Sequence, residues 1–319
     1  MNQKDTATRG ASMPAALCTK YGPPEVVHLG QVPIPVPKDE EVLIKVIASA
    51  VNSGDVRVRG LNAPGWMRIL MRLIFGITKP KNPILGTVFA GIVVEKGSKS
   101  KHFQIGDEVY GQTGMRMGCH AAYLAIPEKG ALTLKPKNAS FEAAAALPFG
   151  GHTALYFLGK AGIARRQDPQ VLIIGATGAV GTAALQIATA YGAKIVAVSS
   201  TRGAALLDQL GIEERVYYDQ EDFLKTSNTF DIIFDAVGTT SKKETAHLLK
   251  REGSFVTVDS LDVAPERTAY LEDLRDRFEQ ERYRAIIDKT FALSEIVAAH
   301  RYVDSGRKKG NVVLRIQEP

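Results

Sequence analysis

The chain of 319 residues changes character near its middle, and this change predicts its fold class. Up to about residue 145, short strand-like segments are separated by glycines, which indicates a compact β-barrel-like domain. From residue 146, strand and helix patterns alternate, which is typical of a parallel sheet with helices on both faces. The sequence therefore predicts an α/β protein with a β-barrel domain and a doubly wound Rossmann domain.

Three segments carry the strand prediction in the first part: EVLIKVIASAVN, PILGTVFAGIVVEKG and GDEVYGQT. Between the first two lies the segment Leu61 to Pro83, which is apolar and holds the only tryptophan, Trp66. Its spacing predicts a helix, for which two interpretations stay open. The helix covers a hydrophobic substrate pocket as a lid, or it packs on its own domain.

The second part opens with helices and continues with alternating elements. Ser140 is a typical helix N-cap before an alanine-rich run that we expect to end before Pro148, and a second helix is expected over Thr153 to Lys160. The tail, residues 291–316, predicts a helix, a glycine turn and a final strand. The alternating strand and helix patterns are Val171–Ile174, Ala179–Tyr191, Ile195–Ser199, Ala204–Leu210, Val216–Tyr217, Ile232–Asp235, Lys242–Lys250 and Phe255–Val258.

Composition narrows the classes of partner. The hydrophobic fraction of 45% and the charged fraction of 23% are those of an ordinary globular protein. The net charge of +6 is spread along the chain, and its densest basic cluster, residues 307–309, lacks the interleaved aromatics of a nucleic-acid site. Cys18 and Cys119 are too few for a disulfide framework or a four-cysteine zinc lobe, and a reduced compartment suits them.

The sequence also indicates where in the cell the protein is located. Residues 1–12 are polar without an apolar core, so we expect no secretory signal, a disordered lead-in, and an ordered chain that begins near Met13. Val171 to Ala193 is uncharged and long enough to span a bilayer, yet its glycines have the spacing of a turn, which favours a buried strand and helix. We expect a cytoplasmic protein with no membrane or nucleic-acid partner.

The stretch VLIIGATGAVG indicates a phosphate cradle. Four consecutive apolar residues form a strand that runs into the glycine-rich turn. Gly175 permits a tight turn, Gly178 lets the backbone approach a pyrophosphate, and Gly181 lets the following helix pack closely on the sheet. The helix that starts at Ala179 and Val180 then offers its N–H groups to the phosphates. With a strand before and a helix and strand after it, the turn predicts a dinucleotide site.

The end of the second strand indicates which dinucleotide binds. Enzymes that use NAD usually place a carboxylate there, on the adenosine ribose. This chain instead has Ser200, Thr201 and Arg202, whose hydroxyls and guanidinium attract a 2′-phosphate. We therefore expect NADPH rather than NADH, while a solvent-exposed surface charge is the alternative for Arg202.

Eight segments of the chain together resemble a known protein family. The segments YGPPEVVHLGQVPIP, VNSGDVRVRG, PILGTVFAGIVVEKG, FQIGDEVYG, AAALPFGGHTALYFL, VLIIGATGAVG, FDIIFDAVG and IIDKTFALSEIVAAHRYVDSGRKKGNVVL resemble the zinc-free quinone oxidoreductase-like branch of the medium-chain dehydrogenase/reductase superfamily. The resemblance implies a GroES-like catalytic domain, residues 13–145 and 286–319, and a Rossmann domain for NADPH, residues 146–285, with the active site between them.

The resemblance also implies site residues. Asn52 and Thr153 match positions that line the nicotinamide pocket, Thr177 lies within the cofactor turn, and Tyr218, Val237 and Val258 match cofactor contacts at strand ends. The positions where zinc-dependent members hold their ligands carry Asn52, Gly86-Thr87-Val88, and Phe149-Gly150, none of which supplies a good zinc ligand. We expect no metal.

Two departures from the family pattern stand out. Val88 replaces an acidic residue that zinc-free members often keep. The segment between Ser260 and Ile286 is short and charged, with one helix-like piece over Tyr270 to Arg282 in place of the apolar strand that usually pairs across a dimer. We therefore expect a monomer or an altered dimer.

These features together predict reduction of a quinone or an α,β-unsaturated carbonyl, because hydride delivery to an electrophilic acceptor needs no metal Lewis acid. A small hydrophobic electrophilic substrate fits this reaction. Arg57 either stabilises a developing enolate or is a surface charge, and no proton donor is evident. The alternatives are an NADPH-binding protein with a regulatory role and little catalysis, and a zinc-free alcohol or carbonyl dehydrogenase.

Overall fold

The computed structural model of the protein describes residues 10–61, 65–260 and 262–319. Most of the predicted lead-in, residues 1–12, lies outside the described residues, and the first strand begins at Ser12. The first part of the chain contains, in order, β1 (Ser12–Cys18), β2 (Val27–Pro33), β3 (Glu41–Val51), α1 (Ser53–Gly60), α2 (Gly65–Phe75), β4 (Val88–Lys96), β5 (Glu108–Gln112), β6 (Tyr123–Pro127) and β7 (Leu132–Leu134).

The second part begins with one long helix and continues with parallel strands. Its elements are α3 (Phe141–Lys160), β8 (Gln170–Ile174), α4 (Ala179–Ala190), β9 (Lys194–Ser199), α5 (Ala204–Gln209), β10 (Arg215–Tyr217), β11 (Phe230–Asp235), β12 (Leu249–Thr257) and α6 (Thr268–Glu279). The tail then forms β13 (Ile287–Ala292), α7 (Ile296–Asp304) and β14 (Asn311–Arg315).

Two large sheets confirm the predicted fold class. A five-stranded sheet has the order β10-β9-β8-β11-β12, and all of its pairings are parallel. A seven-stranded sheet has the order β13-β14-β3-β4-β5-β7, with β6 paired to β3, and its pairings are antiparallel except that of β13 with β14. Because β14 lies between β13 and β3, the tail is part of the sheet that the first half of the chain builds. The chain thus has a GroES-like part and a Rossmann-like part.

Buried apolar side chains form a core within the first part and a core that joins the two parts. The strands of the first part, together with α7, enclose one cluster of buried side chains, which includes Ile44, Phe89 and Leu314. A second cluster surrounds α3 and extends from the parallel sheet, at Ile173, to the other sheet, at Tyr110. The predicted boundary between residues 145 and 146 falls inside α3, so the division at that point stays a prediction.

The prediction of two helices around Pro148 is wrong. The structure has a single helix, α3, that runs through this proline, and Ser140 caps it, since its Oγ accepts a hydrogen bond from Ala143 N at 3.1 Å. A proline inside a helix costs about 3 kcal/mol. However, α3 is buried against both sheets and two helices, and this packing outweighs the local cost.

The helix predicted over Lys242–Lys250 is also wrong. The structure has turns there and one short 3₁₀ helix, Ala246–Leu248, before β12 starts at Leu249. Ser241 N and Oγ both donate to the Glu244 carboxylate, at 2.8 and 2.6 Å. This local pairing resembles a helix start, but most of the following side chains are exposed and offer no apolar face to pack.

Candidate active site

The turn between β8 and α4 has the geometry that its glycines predict. Gly175 has a φ of +75°, in the region that favours glycine, and a Cβ there would overlap Val237 Cγ2. A Cβ on Gly181 would overlap the Gly175 carbonyl oxygen, so α4 packs this closely on the turn only with glycine at that position. Both steric requirements agree with the roles inferred from the sequence.

The start of α4 is suited to an anion. Gly178 is the N-cap residue of α4 and has no side chain with which to cap the first turn. A Cβ on Gly178 would meet nothing closer than the Gly175 carbonyl oxygen at 3.5 Å, so the outer side of the turn is open. An uncapped helix start with an open approach leaves N–H groups and the positive end of the helix dipole available to a pyrophosphate.

The end of β9 lies next to this turn. Ser200 precedes the 3₁₀ turn Thr201–Gly203, and a Cβ on Gly203 would lie 2.6 Å from Thr177 Cγ2. The Arg202 side chain is exposed at this edge. The structure therefore brings together the predicted phosphate turn and the three residues predicted to bind the 2′-phosphate.

The expectation that no carboxylate lies at this position needs correction. Asp219, which follows β10, accepts hydrogen bonds from Thr201 N at 2.9 Å and from Thr201 Oγ1 at 2.6 Å. It reaches this place because β10 pairs with β9 in parallel, so that both strands end at the same edge. The hydrogen bonds from Thr201, helped by the charge of Arg202, lower the pKa of Asp219. An ionised Asp219 therefore offsets part of the positive charge of Arg202.

The other predicted cofactor residues also lie at the carboxyl edge of the parallel sheet. Tyr218 follows β10, donates its N–H to Ser199 O at 3.0 Å and has an exposed side chain. Val237 follows β11 and is half exposed beside Gly175. Val258 follows β12 and donates its N–H to Asp235 O at 3.1 Å.

Asp235 shapes this edge, although no role was predicted for it. Its buried carboxylate accepts hydrogen bonds from the N–H groups of residues 237–240 and from Thr240 Oγ1, at distances of 2.7 to 3.0 Å. These bonds fix the loop that presents Val237. An aspartate at the end of a buried strand, directly before a glycine-containing loop, is the signal that indicates such a role.

Across the cleft, Asn52 is buried at the start of α1. Its Oδ1 accepts hydrogen bonds from Gly54 N at 2.9 Å and Asp55 N at 3.3 Å, and its Nδ2 donates to Thr87 Oγ1 at 2.8 Å. Asp55 completes a capping box, since its carboxylate accepts the Asn52 N–H at 2.8 Å. The carboxylate also accepts the Gly86 N–H at 2.9 Å, which ties α1 to the segment before β4. Burial raises the pKa of Asp55.

These residues do not fit a zinc ion. Both polar atoms of the Asn52 amide are already used, one in capping α1 and the other in the bond to Thr87. Val88 is fully buried at the start of β4, and its apolar side chain has no atom that could bind a metal. In the described parts of the chain, no group of three or more His, Cys, Asp or Glu side chains could hold a metal.

Helix α3 forms the floor between the two halves of the site. A Cβ on Gly54 would lie 3.9 Å from the Phe149 ring, and a Cβ on Gly150 would overlap the Ala179 carbonyl oxygen. Helix α3 therefore lies close both to the start of α1 and to the first residue of α4. The Thr153 hydroxyl donates to Phe149 O at 2.7 Å, so its proton is used within the helix.

Charged side chains cross the mouth of the cleft. Arg57 Nη2 lies 3.6 Å from Asp259 Oδ1, and both side chains are half exposed, so the structure places Arg57 in a surface ion pair between α1 and the loop after β12. Glu266, from the same loop, lies against Gly114, which follows β5. Neither the ion pair of Asp259 nor the position of Glu266 follows from the sequence, because nothing in the local pattern indicates contacts between these distant segments.

The apolar helix predicted near Trp66 is α2, and its described contacts are with its own domain. Met71 and Phe75 pack against the core of the first part, and Tyr21 Oη donates to Gly76 O at 2.6 Å. Five apolar side chains of α2 remain exposed on its outer face, namely those of Trp66, Ile69, Leu70, Leu73 and Ile74.

Comparison with known proteins identifies the family. Residues 38–137 match the family described as alcohol dehydrogenase GroES-like domain, and residues 179–274 and 260–314 match families described as zinc-binding dehydrogenase. A 2-methylene-furan-3-one reductase of Solanum lycopersicum is 33% identical over 95% of this chain and 79% of its own length. The chain belongs to the medium-chain dehydrogenase/reductase superfamily.

Other members of the superfamily agree with this placement. An NADPH-dependent alkenal/one oxidoreductase of Arabidopsis thaliana is 29% identical over 96% of this chain and 81% of its own length. The structure of a quinone oxidoreductase from Coxiella burnetii has a TM-score of 0.87 and 29% identity, and covers 96% of this chain and all of its own. The protein is thus an oxidoreductase that uses a nicotinamide cofactor. In the described residues, no helix is both long and apolar enough to cross a membrane.

Proposed function

We propose that this superfamily member is a zinc-independent, NADPH-dependent oxidoreductase that reduces quinones or α,β-unsaturated carbonyl compounds. One observation carries the proposal: the position of a metal ligand is filled by Asn52, whose amide oxygen caps α1 and whose amide nitrogen donates to the hydroxyl of Thr87 at 2.8 Å. A site built in this way polarises an acceptor by hydrogen bonding. This suffices for an activated alkene or quinone, whereas alcohol oxidation needs a group that stabilises an alkoxide.

The chain's own residues bind and orient the reactants. When bound, the dinucleotide supplies a hydride. Thr87 Oγ1 accepts from Asn52 Nδ2, so its own proton is free to donate to a substrate oxygen, since no acceptor takes it among the described residues. Phe149 supplies an apolar wall beside Gly54. The residues that would hold the cofactor are Gly175, Thr177, Gly178, Ala179, Val180, Gly181, Ser200, Thr201, Arg202, Tyr218, Val237 and Val258, with Asn52 and Thr153 beside the nicotinamide.

The preference for NADPH is supported by the end of β9. Arg202 is exposed there, next to the hydroxyls of Ser200 and Thr201. Asp219 opposes this preference, but both of its oxygens face Thr201 and accept hydrogen bonds from it. We therefore propose that NADPH binds more tightly than NADH, by a margin that Asp219 reduces.

The test is cofactor consumption with a panel of quinones, enones, aldehydes and alcohols, with and without a metal chelator. We expect NADPH oxidation with quinones or enones that the chelator leaves unchanged. Turnover confined to alcohols or aldehydes would identify a zinc-free alcohol or carbonyl dehydrogenase instead. Tight NADPH binding without turnover of any compound would identify a binding protein. Loss of activity with the chelator contradicts zinc independence.

The expectations on partners and location remain proposals. We propose a small hydrophobic electrophile as substrate, no nucleic-acid partner, a cytoplasmic location, and a monomer or altered dimer. The last point is supported by the sheet, in which β12 is an edge strand and no strand follows it in the described residues between Val258 and Arg267.

A further inference from the structure

Helix α2 and the turn after it present a broad apolar surface to solvent. Six large apolar side chains between residues 66 and 77 are exposed, with exposed fractions from 37% to 66%. Since residues three and four apart share a helix face, they form one continuous patch rather than scattered positions. We call it the α2 patch: Trp66, Ile69, Leu70, Leu73, Ile74 and Ile77.

The charge around the α2 patch is of one sign. No aspartate or glutamate occurs between residues 56 and 94. Four basic residues lie on or just after α2, namely Arg68, Arg72, Lys79 and Lys81, and all four are exposed. An apolar helix face whose own stretch of chain carries only cations is complementary to a surface that is apolar below and anionic above, as the surface of an acidic lipid bilayer is.

The patch is held outward by a fixed turn. Gly76 is buried with a φ of +129°, and its N–H donates to Arg72 O at 2.9 Å. Lys81 N donates to Phe75 O at 2.6 Å, and the Tyr21 hydroxyl bonds the Gly76 carbonyl. Met71 packs into the core on the inner side. Because Met71 and the turn at Gly76 anchor the inner side of α2, the apolar side chains on its opposite side stay exposed to solvent.

We propose that the α2 patch docks the protein on anionic lipid membranes, with α2 lying in the plane of the interface. The apolar side chains enter the boundary between headgroups and acyl chains, and the four cations remain at the level of the headgroups. This proposal is opposed to the sequence expectation of no membrane partner, which considered only segments that span a bilayer. It does not depend on the substrate or on the preference for NADPH.

The test uses phospholipid vesicles and the intrinsic fluorescence of the protein. Trp66 is the only tryptophan, so its emission reports directly on the patch. With vesicles of phosphatidylcholine and phosphatidylserine, we expect the protein to float with the vesicles and the Trp66 emission to shift to shorter wavelength. Binding should weaken as salt is added, because screening removes the electrostatic attraction. Vesicles of phosphatidylcholine alone should bind less protein.

Substitutions inside and outside the α2 patch distinguish binding through the patch from a general effect of surface charge. Ile69→Glu and Leu73→Glu should each weaken vesicle binding at least about tenfold, because a carboxylate is placed in the apolar face. Ile105→Glu is the control, since Ile105 has the same exposed fraction as Ile69, 65%, and lies outside the patch. Arg68→Ala and Lys79→Ala should each weaken binding roughly fivefold, because a cation at an anionic surface contributes about 1 kcal/mol. None of these variants should change the reduction of a water-soluble quinone or enone.

Three results would overturn the proposal. One is wild-type protein that does not bind phosphatidylserine vesicles. Another is vesicle binding that Ile69→Glu and Leu73→Glu leave intact. The third is an emission shift of Trp66 that rises with protein concentration in the absence of lipid, together with a doubled mass by light scattering, since the patch would then join two copies of the chain.

Discussion

At the scale of single residues, the proposed adenosine end of the cofactor site holds two opposite charges, those of Arg202 and Asp219. Replacing Arg202 by alanine removes the guanidinium proposed to bind the 2′-phosphate. The KM for NADPH should rise roughly 10- to 100-fold, the usual effect of losing a charged hydrogen-bond partner. Steady-state kinetics with both cofactors measure it, and the KM for NADH should change little.

Asp219→Asn tests the opposing charge. An asparagine keeps an acceptor for Thr201 but removes the negative charge that faces the cofactor site. The preference for NADPH over NADH should therefore increase, by a few fold. Equal changes for the two cofactors in both variants would contradict the assignment of this edge to the 2′-phosphate.

Thr87 gives a second residue-scale prediction. Thr87→Val keeps the shape of the side chain but removes the hydroxyl that Asn52 positions, whereas Thr87→Ser keeps that hydroxyl. If the hydroxyl donates to the substrate oxygen, the valine variant should lose about 10²-fold in kcat and the serine variant should stay close to the wild type. Single-turnover NADPH oxidation provides the measurement. Equal losses in both variants would mean that Thr87 only packs.

At this scale, the sequence predicts steric roles best at positions that only glycine can fill. Gly175 and Gly181 follow from glycine chemistry, and both are required in the structure. Asp219 could not be placed, because its role arises only when the parallel pairing of β10 with β9 brings two separate loops to one edge. Asn52 was located through the family pattern, but its bond to Thr87 depends on how α1 meets β4.

At the scale of elements, tertiary packing explains why two helix predictions made from the local pattern are wrong. The alanine-rich segment before Pro148 is a good helix by composition, and the proline correctly predicts a local cost. The structure continues the helix because α3 is enclosed on several sides, information that a local window of sequence does not contain. The opposite error arose over Lys242–Lys250, where helix-like composition has no buried face to stabilise it.

Glu128, just after β6, gives an element-scale prediction about pH. Its carboxylate accepts hydrogen bonds from His102 N, Ser100 Oγ and Lys101 N at 3.0, 2.8 and 2.6 Å, and these lower its pKa from 4.5 to about 2. Because the pKa is lower in the folded protein, the stabilisation is complete above pH 4.5 and is lost as the pH falls toward 2.

Glu128→Gln is the variant that tests this. Wild type should have the higher Tm at neutral pH, and its advantage over the variant should shrink below pH 4.5. Thermal unfolding followed by circular dichroism across that range measures the difference. A difference in Tm that does not vary with pH would show that the carboxylate acts only by packing.

At the scale of the whole molecule, the edge of the parallel sheet determines how copies could associate. β12 is an edge strand that carries the charged residues Lys250, Arg251 and Glu252 directly after its first residue and has an irregular register with β11. Charges and bulges of this kind disfavour strand pairing between molecules. Light scattering without lipid should therefore give the monomer mass of 34.5 kDa. A stable dimer in which the β12 amides become protected from hydrogen exchange would contradict this.

The place of β14 has a consequence for synthesis on the ribosome. Gly310, just before β14, donates its N–H to Thr177 O in the phosphate turn at 2.8 Å, and β14 itself pairs with β3 up to Val51, next to Asn52. The parallel sheet is fully translated by Thr257, so it can fold while the chain is still growing. In the other sheet, β6 pairs with the first half of β3, but residues 48–51 of β3 have no partner on that side until residues 311–315 emerge. One late strand thus completes both walls of the cleft, and a nascent chain has no assembled active site until translation has passed Arg315.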